Sequence, residues 1–245
     1  MNLGLGIDIG GSGMKAAIVD LSTGRLVSER YRIDTPRPAT PTAMADVVRA
    51  LIASHHWTQP LGVAFPAVVR HGVVESAANI DDSWIDVNAN HLFSEVSGLD
   101  VRMVNDADAA GLAEVRFGAA RDRDGVVMML TFGTGIGSAL LVDGTLVPNT
   151  ELGHLELDGH DAEHQAAARV RQRDDLSWKQ WAKRVQDYLE HLEKLFSPDL
   201  FIVGGGVSKK HEQWLPHVKI GTEIVPAEMA NNAGIVGAAL VAPTD

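Results

Sequence analysis

The sequence predicts an α/β fold organised as two related lobes, and three observations carry that prediction. A hydrophobic run, a glycine-rich turn and a second hydrophobic run ending in aspartate occur twice, as IDIGGSGMKAAIVD at residues 7–20 and LTFGTGIGSALLVD at residues 130–143. Strand-like runs alternate with helix-like runs and end in glycine turns, the pattern of an α/β architecture with ligands at strand C-termini. The 245 residues suffice for one large domain or two smaller ones with a substantial core, and the internal repeat favours two.

Taken in order, residues 3–9, 14–20 and 25–32 read as three strands joined by turns at Gly10–Gly13 and Ser22–Gly24. DTPRPATPT at 34–42, rich in proline and threonine, predicts an extended connection into a helix over about 42–54 with Thr42 as N-cap. LGVAFPAVV at 61–69 predicts a buried strand that leads to a turn at His71–Gly72. VRMV at 101–104 predicts a short buried strand whose C-terminal end delivers Asn105 and Asp106, and DAAGLAEVRFG predicts a helix stopping at Gly118.

The second copy of the repeat begins at Val126. Trp178, Trp181, Val185, Tyr188, Leu192 and Leu195 recur at three- and four-residue spacing, so 178–196 predicts an amphipathic helix with Ser177 as N-cap and Pro198 just beyond. LFIV at 200–203 predicts a buried strand running into Gly204, Gly205 and Gly206, and the small residues of 233–241 predict a closely packed helix. The lobes are expected at 1–107 and 108–231, with a C-terminal helix over about 232–245 returning to the first.

Composition narrows the function. Hydrophobic residues make up 45% of the chain and charged residues 22%, an ordinary globular balance. Cysteine is absent, which excludes disulfides, thiolate metal sites and cysteine nucleophiles. The N-terminus lacks a basic leader and the apolar runs are strand-sized, so a cytoplasmic protein without membrane contact is expected. A formal charge of −11 argues against a nucleic-acid binder, which needs a basic face, yet a local cluster of cations and backbone dipoles can still attract phosphate.

The paired glycine turns point to a polyanion. Glycine lets the backbone turn tightly and leaves its N–H groups uncrowded, so an oligophosphate can lie against them, and two such hairpins facing across a cleft would hold it from both sides. Between them, NDADAA at 105–110 places a carboxylate, Asp106, at a strand end. A carboxylate there can take a proton from a hydroxyl that receives phosphate, whereas the plainer reading is that Asp106 or Asp108 caps the following helix.

These segments in this order resemble the sugar-kinase, actin and heat-shock-chaperone ATPase fold, a two-lobed, ribonuclease H-like architecture with a duplicated hairpin core. More narrowly they resemble the ROK family of sugar kinases and repressors. DIGGSGMK at 8–15 is similar to that family's first phosphate motif, GTGIG at 133–137 to its second, GGG at 204–206 to its nucleotide-side loop and ELGH at 151–154 to its sugar-binding signature. The resemblance covers nearly the whole chain. NDADAAGLAEVRFGA, VPNTELGHLELDGHDAE, PDLFIVGGGVSKK and NNAGIVGAA resemble the polyphosphate-using glucokinase branch.

The resemblance implies an enzyme that phosphorylates glucose, or glucose and mannose, at the 6-hydroxyl from inorganic polyphosphate or ATP, with Mg²⁺ and as a homodimer. It implies Asp106 as catalytic base and Asp8 as the residue that organises the metal, where the plain alternative is a strand-end aspartate bonded to its own turn. Phosphate would lie on Gly10, Gly11, Ser12, Lys15, Thr134, Gly135, Gly137, Gly204, Gly205 and Gly206. Sugar would lie on Asn79, Asn105, Asp106, Glu151, His154 and Glu163.

Two departures stand out. Many ROK members carry a zinc-binding cysteine cluster after the ELGH signature, but this chain has LELDGHDAEHQAAARVRQR there, so no zinc is expected; His154, His160 and His164 are the alternative metal cluster. Ala67 follows Pro66 where the family usually has glycine.

Lys209 and Lys210, with Arg169, Arg171, Arg173, Lys179, Lys183 and Arg184, could track a long phosphate chain. Asp174, Asp175, Glu190 and Glu193 nearby make a mixed solvated surface the default. The aromatic stripe of 178–196 reads as core or subunit interface. Other readings are an ATP-dependent hexokinase for fructose or an N-acetylated hexosamine, a sugar-sensing repressor, and a nucleotide-driven module like actin. A first strand starting by Leu3 leaves no room for the DNA-binding domain of such a repressor, and ELGH opposes the actin-like reading.

Overall fold

The computed structural model describes residues 2–77 and 80–243, and the chain divides into two compact units. The first comprises Met1–Ala113 and Asn231–Asp245, the second Glu114–Ala230.

In the first unit, β1 (Leu3–Ile9), β2 (Met14–Asp20), β3 (Arg25–Leu26) and β4 (Tyr31–Ile33) lead to α1 (Pro41–Ser54). The predicted strand over 25–32 is therefore two short pieces. Helix α1 starts earlier than expected because Pro41 serves as its first residue, so the cap is Thr40, whose Oγ1 accepts from the N–H of Ala43 at 3.4 Å.

Next come β5 (Leu61–Phe65), β6 (Val69–Arg70) and β7 (Val73–Val74), then α2 (Ala89–Ser97), β8 (Val101–Asn105) and α3 (Asp106–Phe117). Pro66 has no N–H to continue a ladder, so the strand predicted over 61–69 ends at Phe65 and resumes as the β6–β7 hairpin. That hairpin turns at His71 and Gly72, both with positive φ. The sheet order is β3-β2-β1-β5-β8, with β4 also on β2; β1, β5 and β8 run parallel. All five residues of β5 are buried, as a central parallel strand covered on both faces requires.

Phe65, Trp84 and Phe93 stack edge to face in the core, at ring distances of 4.7 and 5.8 Å.

The second unit contains β9 (Val126–Phe132), β10 (Ile136–Val142), β11 (Thr145–Val147), β12 (Glu156–Leu157), β13 (His160–Asp161), α4 (Glu163–Ala166), α5 (Ala168–Arg173), α6 (Trp178–Phe196), β14 (Leu200–Gly205), α7 (His211–Trp214) and β15 (Glu223–Pro226). Its main sheet runs β11-β10-β9-β14-β15, with β9, β14 and β15 parallel. The repeat in the sequence is a repeat in structure. β1 and β9 are both seven residues long with the same alternation of buried and half-buried positions, and each pairs antiparallel with the strand after its glycine turn.

Helix α6 begins where the sequence placed it. Ser177 accepts from the N–H of Gln180 while the Gln180 side chain reaches back to the Ser177 N–H, a reciprocal cap. Trp181, Val185, Tyr188 and Leu192 are fully buried, which makes this stripe core; Leu195 lies outside it at 55% exposed. Trp181 packs edge-on against Trp214 at 5.0 Å and Phe132 at 5.8 Å.

The first unit is completed by α8 (Ala233–Leu240), which packs on β1 and β5. A Cβ on Gly6 of β1 would collide with the Ile235 carbonyl, and one on Gly62 of β5 with the Ala238 carbonyl, so bare strand backbone is what lets this helix lie so close.

Candidate active site

Because β1, β5 and β8 are parallel and in register, their C-terminal ends share one edge of the first unit's sheet. The first glycine turn leaves β1 there, Pro66 and Ala67 follow β5, and Asn105 and Asp106 end β8. Nearly everything predicted from 1–107 falls on this edge; Asn79 lies outside the described residues.

The turn after Ile9 is braced through its carbonyls. Thr35 Oγ1 donates to the Gly10 oxygen at 2.5 Å, Arg32 Nη2 donates to the Ser12 oxygen at 2.7 Å, and the Gly10 N–H closes the turn on Gly13 at 3.2 Å. Among the described residues the N–H groups of Gly11 and Ser12 donate to no protein atom. Both residues are exposed, and a Cβ on Gly11 would meet nothing within 4 Å. Packing therefore does not require glycine at 11, whereas an anion lying on the backbone would. Thr35 and Arg32, which hold the turn from behind, were not singled out from the sequence, since only folding brings β4 and its exit alongside.

Asp8 stands opposite Lys15 across the β1–β2 ladder, with Oδ2 3.5 Å from the ammonium. Burial pushes its carboxyl above the ordinary range, and the charge and hydrogen bond of Lys15 and the charge of Arg30 oppose that rise. The first turn of α8 sits directly on it, since a Cβ on Gly234 would fall 2.8 Å from the Asp8 carboxyl carbon.

Asp106 is exposed in the first turn of α3. Its Oδ1 accepts from the Ala107 N–H at 2.8 Å. The helix start is capped from the neighbouring position: Asn105 Oδ1 accepts from the N–H groups of Ala107 at 2.8 Å and Asp108 at 3.1 Å. Asn105 is 7% exposed, and its amide donates to the Ala67 carbonyl at 3.1 Å. Its geometry is that of a residue that positions Asp106. Beside this edge a cavity of about 300 Å³ is walled in part by Gly10, Gly11, Thr35, Arg37, Pro66 and Asp81.

The second unit builds a parallel arrangement. The turn after Phe132 closes through the Gly133 N–H on Gly135 at 2.9 Å, and its Gly133 carbonyl accepts from the Arg169 N–H at 3.1 Å. Among the described residues the N–H groups of Thr134 and Gly135 donate to no protein atom, and a Cβ on Gly133 would meet nothing within 4 Å. Gly137 lies inside β10, opposite Thr131. The third glycine run leaves the adjacent parallel strand: Gly204 is buried in β14, Gly205 has φ +79° and lies against the Phe132 carbonyl, and Gly206 faces open space.

Glu163 ties the second turn to the ELGH segment. Its Oε2 accepts from the Ile136 N–H at 3.2 Å, and its Oε1 lies 3.5 Å from the Arg169 guanidinium. His154 shares a 2.9 Å hydrogen bond between Nδ1 and Asp161 Oδ2, and its Nε2 stands 4.0 Å from Glu151. The Asp161 bond raises the His154 pKa first of all, despite partial burial, with the charges of Glu163, Asp161 and Glu151 adding to it. Burial raises Glu151, opposed by His154 and reinforced by Glu163. Glu151, His154 and Glu163 are thus gathered, joined by Asp161, which sequence reasoning missed. The Tyr188 hydroxyl supports the group from α6 by donating to the Leu152 carbonyl at 3.1 Å.

Of the basic residues that could form a phosphate track, half are paired with carboxylates. Arg173 and Arg184 share Asp174 at 2.6 and 2.8 Å, which holds that carboxyl down at about 2; Arg169 pairs with Glu163, and Lys183 with Asp187.

Residues 4–167 match the ROK family. The chain is 51% identical over 243 residues to the polyphosphate glucokinase of Mycobacterium tuberculosis, covering 99% of this chain and 92% of that protein. It superposes on the crystal structure of the inorganic polyphosphate/ATP-glucomannokinase of Arthrobacter sp. strain KM with a TM-score of 0.93, at 51% identity over 98% of each chain. A ROK family glucokinase of Streptomyces griseus, solved with glucose and AMPPNP, gives a TM-score of 0.83 at 25% identity over 98% of this chain and 99% of that one.

Proposed function

The chain belongs to the ROK family, and on that premise we propose that it is a sugar kinase transferring the terminal phosphoryl group of inorganic polyphosphate, or of ATP, to the 6-hydroxyl of glucose. The observation that carries the chemistry is the shared sheet edge in the first unit. It presents free turn amides at Gly11 and Ser12, the Asp8–Lys15 pair and the exposed carboxylate of Asp106 at the ends of parallel strands.

In this reading the 6-oxygen of glucose attacks the terminal phosphorus, the bridging P–O bond breaks, and the hydroxyl proton passes to Asp106 while the shortened donor leaves with the bridging oxygen. Amides of the first turn, and in the second unit those of Thr134 and Gly135, bind phosphate oxygens, with Lys15 adding a point charge. Asn105 holds Asp106 in place through its two accepted bonds and its tie to Ala67. Glu151, His154 and Glu163 recognise sugar hydroxyls, with Asp161 fixing the imidazole. The similarity to the Arthrobacter glucomannokinase makes mannose a second acceptor to test.

Asp8 fits a divalent cation such as Mg²⁺, which takes one or two carboxylates and completes its shell with water and phosphate oxygens. Among the described residues no three His, Asp or Glu side chains converge to enclose an ion, so the cation would arrive with its donor. When bound it would neutralise phosphate charge. Among the described residues no helix is long and apolar enough to cross a membrane. A cytoplasmic homodimer remains part of the proposal, checked by sedimentation.

A coupled assay for sugar 6-phosphate, run with each donor against glucose and mannose, tests this reading. Glucose 6-phosphate should form with polyphosphate; no product with either donor overturns it.

A further inference from the structure

Two of the second unit's cations that lack a carboxylate partner meet on one aromatic ring. Arg171 and Lys210 have no carboxylate partner among the described residues, in contrast to Arg169, Arg173, Lys183 and Arg184. Both stand over the same indole instead. The Arg171 guanidinium carbon lies 3.8 Å from the Trp178 ring centroid, and the Lys210 ammonium lies 6.0 Å from it. The indole attracts each cation without bringing a negative charge, so two like charges converge there with no carboxylate in ion-pair contact among the described residues. Trp178 is itself fixed against Trp181, edge to face at 5.8 Å.

The route by which each cation arrives matters. Arg171 lies on α5, whose Arg169 N–H donates to the Gly133 carbonyl, so this helix is fastened to the second glycine turn. Lys210 ends a short 3₁₀ turn, Ser208–Lys210, whose Ser208 hydroxyl donates to the Gly205 carbonyl at 2.9 Å, so it is fastened to the third. Two adjacent phosphate-type turns thus each send one cation, on a short tether, to a common aromatic platform. Terminal phosphates seated on the turns would place the rest of a long chain within reach of that platform.

We propose that Arg171, Lys210 and Trp178 form a subsite for internal phosphates of inorganic polyphosphate, beyond those gripped by the glycine turns. The inference rests on polyphosphate being a donor. A nucleoside triphosphate ends within the turns and offers no further anion, so the subsite sets preference for chain length.

The test uses Lys210→Ala, at an exposed position, and Arg171→Gln, each compared with wild type and with Lys183→Ala, which removes the same unit charge from an already paired residue. Kinetics are measured with long-chain polyphosphate, tripolyphosphate and ATP, and long-chain polyphosphate binding is titrated without glucose across a range of salt. Each subsite variant should raise KM for the long chain about two- to fivefold, the size of one lost ion pair. It should also flatten the salt dependence of binding by about one unit of slope. kcat, KM for ATP and the behaviour of Lys183→Ala should not move. An unchanged long-chain KM overturns the subsite, as does an equal rise for all three donors. Absence of polyphosphate-dependent turnover in the wild type overturns the donor reading itself, and is seen before any variant is made.

Discussion

The side-chain amide of Asn105 donates to the carbonyl oxygen of Ala67 at 3.1 Å, while its oxygen accepts from two N–H groups at the start of α3. One buried carboxamide therefore joins the end of β8, the turn after β5 and the helix that carries Asp106. Replacing Asn105 with alanine leaves the Ala67 carbonyl and two helix-start amides without these partners. It should cost about 1–3 kcal/mol in urea unfolding. It should also lower kcat more than it raises KM for glucose, since the residue acts through Asp106.

Asp106→Asn keeps the shape and the bond to Ala107 but removes the proton acceptor. The variant should fold, bind glucose and lose about 10²- to 10⁴-fold in turnover. Calorimetry with glucose and single-turnover kinetics check both halves, and near-normal turnover would refute the assignment.

Asp8 sits where burial outweighs the help of Lys15, so its folded-state pKa lies above its unfolded one. For a carboxyl raised in this way, stability is fully present below the unfolded pKa and is lost as pH rises through the folded value; at neutral pH the group costs stability. Asp8→Asn should accordingly raise Tm, by ~2 °C in a chain of this size, while abolishing metal-dependent turnover. A lowered Tm would show that the Lys15 pair dominates.

His154 is raised chiefly by its bond to Asp161, so its contribution to stability is present below the ordinary histidine value of 6.5 and fades as pH climbs through the raised one. The ring is half-exposed, so the effect on stability is small and NMR is the better probe. Asp161→Asn should shift the His154 titration downward, and an unmoved midpoint would assign the shift to Glu151 and Glu163.

Glu114 is fully buried. Its carboxylate accepts from the N–H groups of Ala119 at 2.8 Å, Met229 at 2.7 Å and Glu228 at 3.1 Å. Glu114→Ala leaves three donors unmet and should destabilise the fold by about 3–5 kcal/mol in denaturant titration, with m unchanged if unfolding stays two-state.

The parts legible in the sequence are those that write their own local pattern. Both glycine hairpins show as alternating runs around a turn, α6 as a 3.6-residue stripe behind a serine cap, and Asp106 as a carboxylate at a strand end. What stayed hidden depends on partners distant in the chain. Helix α2 is short, and β15 is a half-buried four-residue strand that forms only on β14. Asp161 gains meaning when the β12–β13 hairpin folds it back onto His154. Glu114 gains its role only when the segment at 228–229 lies across it. The plain reading of capping in NDADAA named Asp106 or Asp108, yet it is Asn105, one residue earlier at the end of β8, whose Oδ1 accepts from the N–H groups of both Ala107 and Asp108.

Helix α8 covers β1 and β5 through backbone left bare at Gly6 and Gly62, yet it is translated after the whole of the second unit. On the ribosome the earliest strands must therefore wait, their greasy surface uncovered, while everything between them and their lid is synthesised. A chain truncated before residue 233 should therefore carry an adhesive, unfinished first unit, the form on which chaperones and proteases would act.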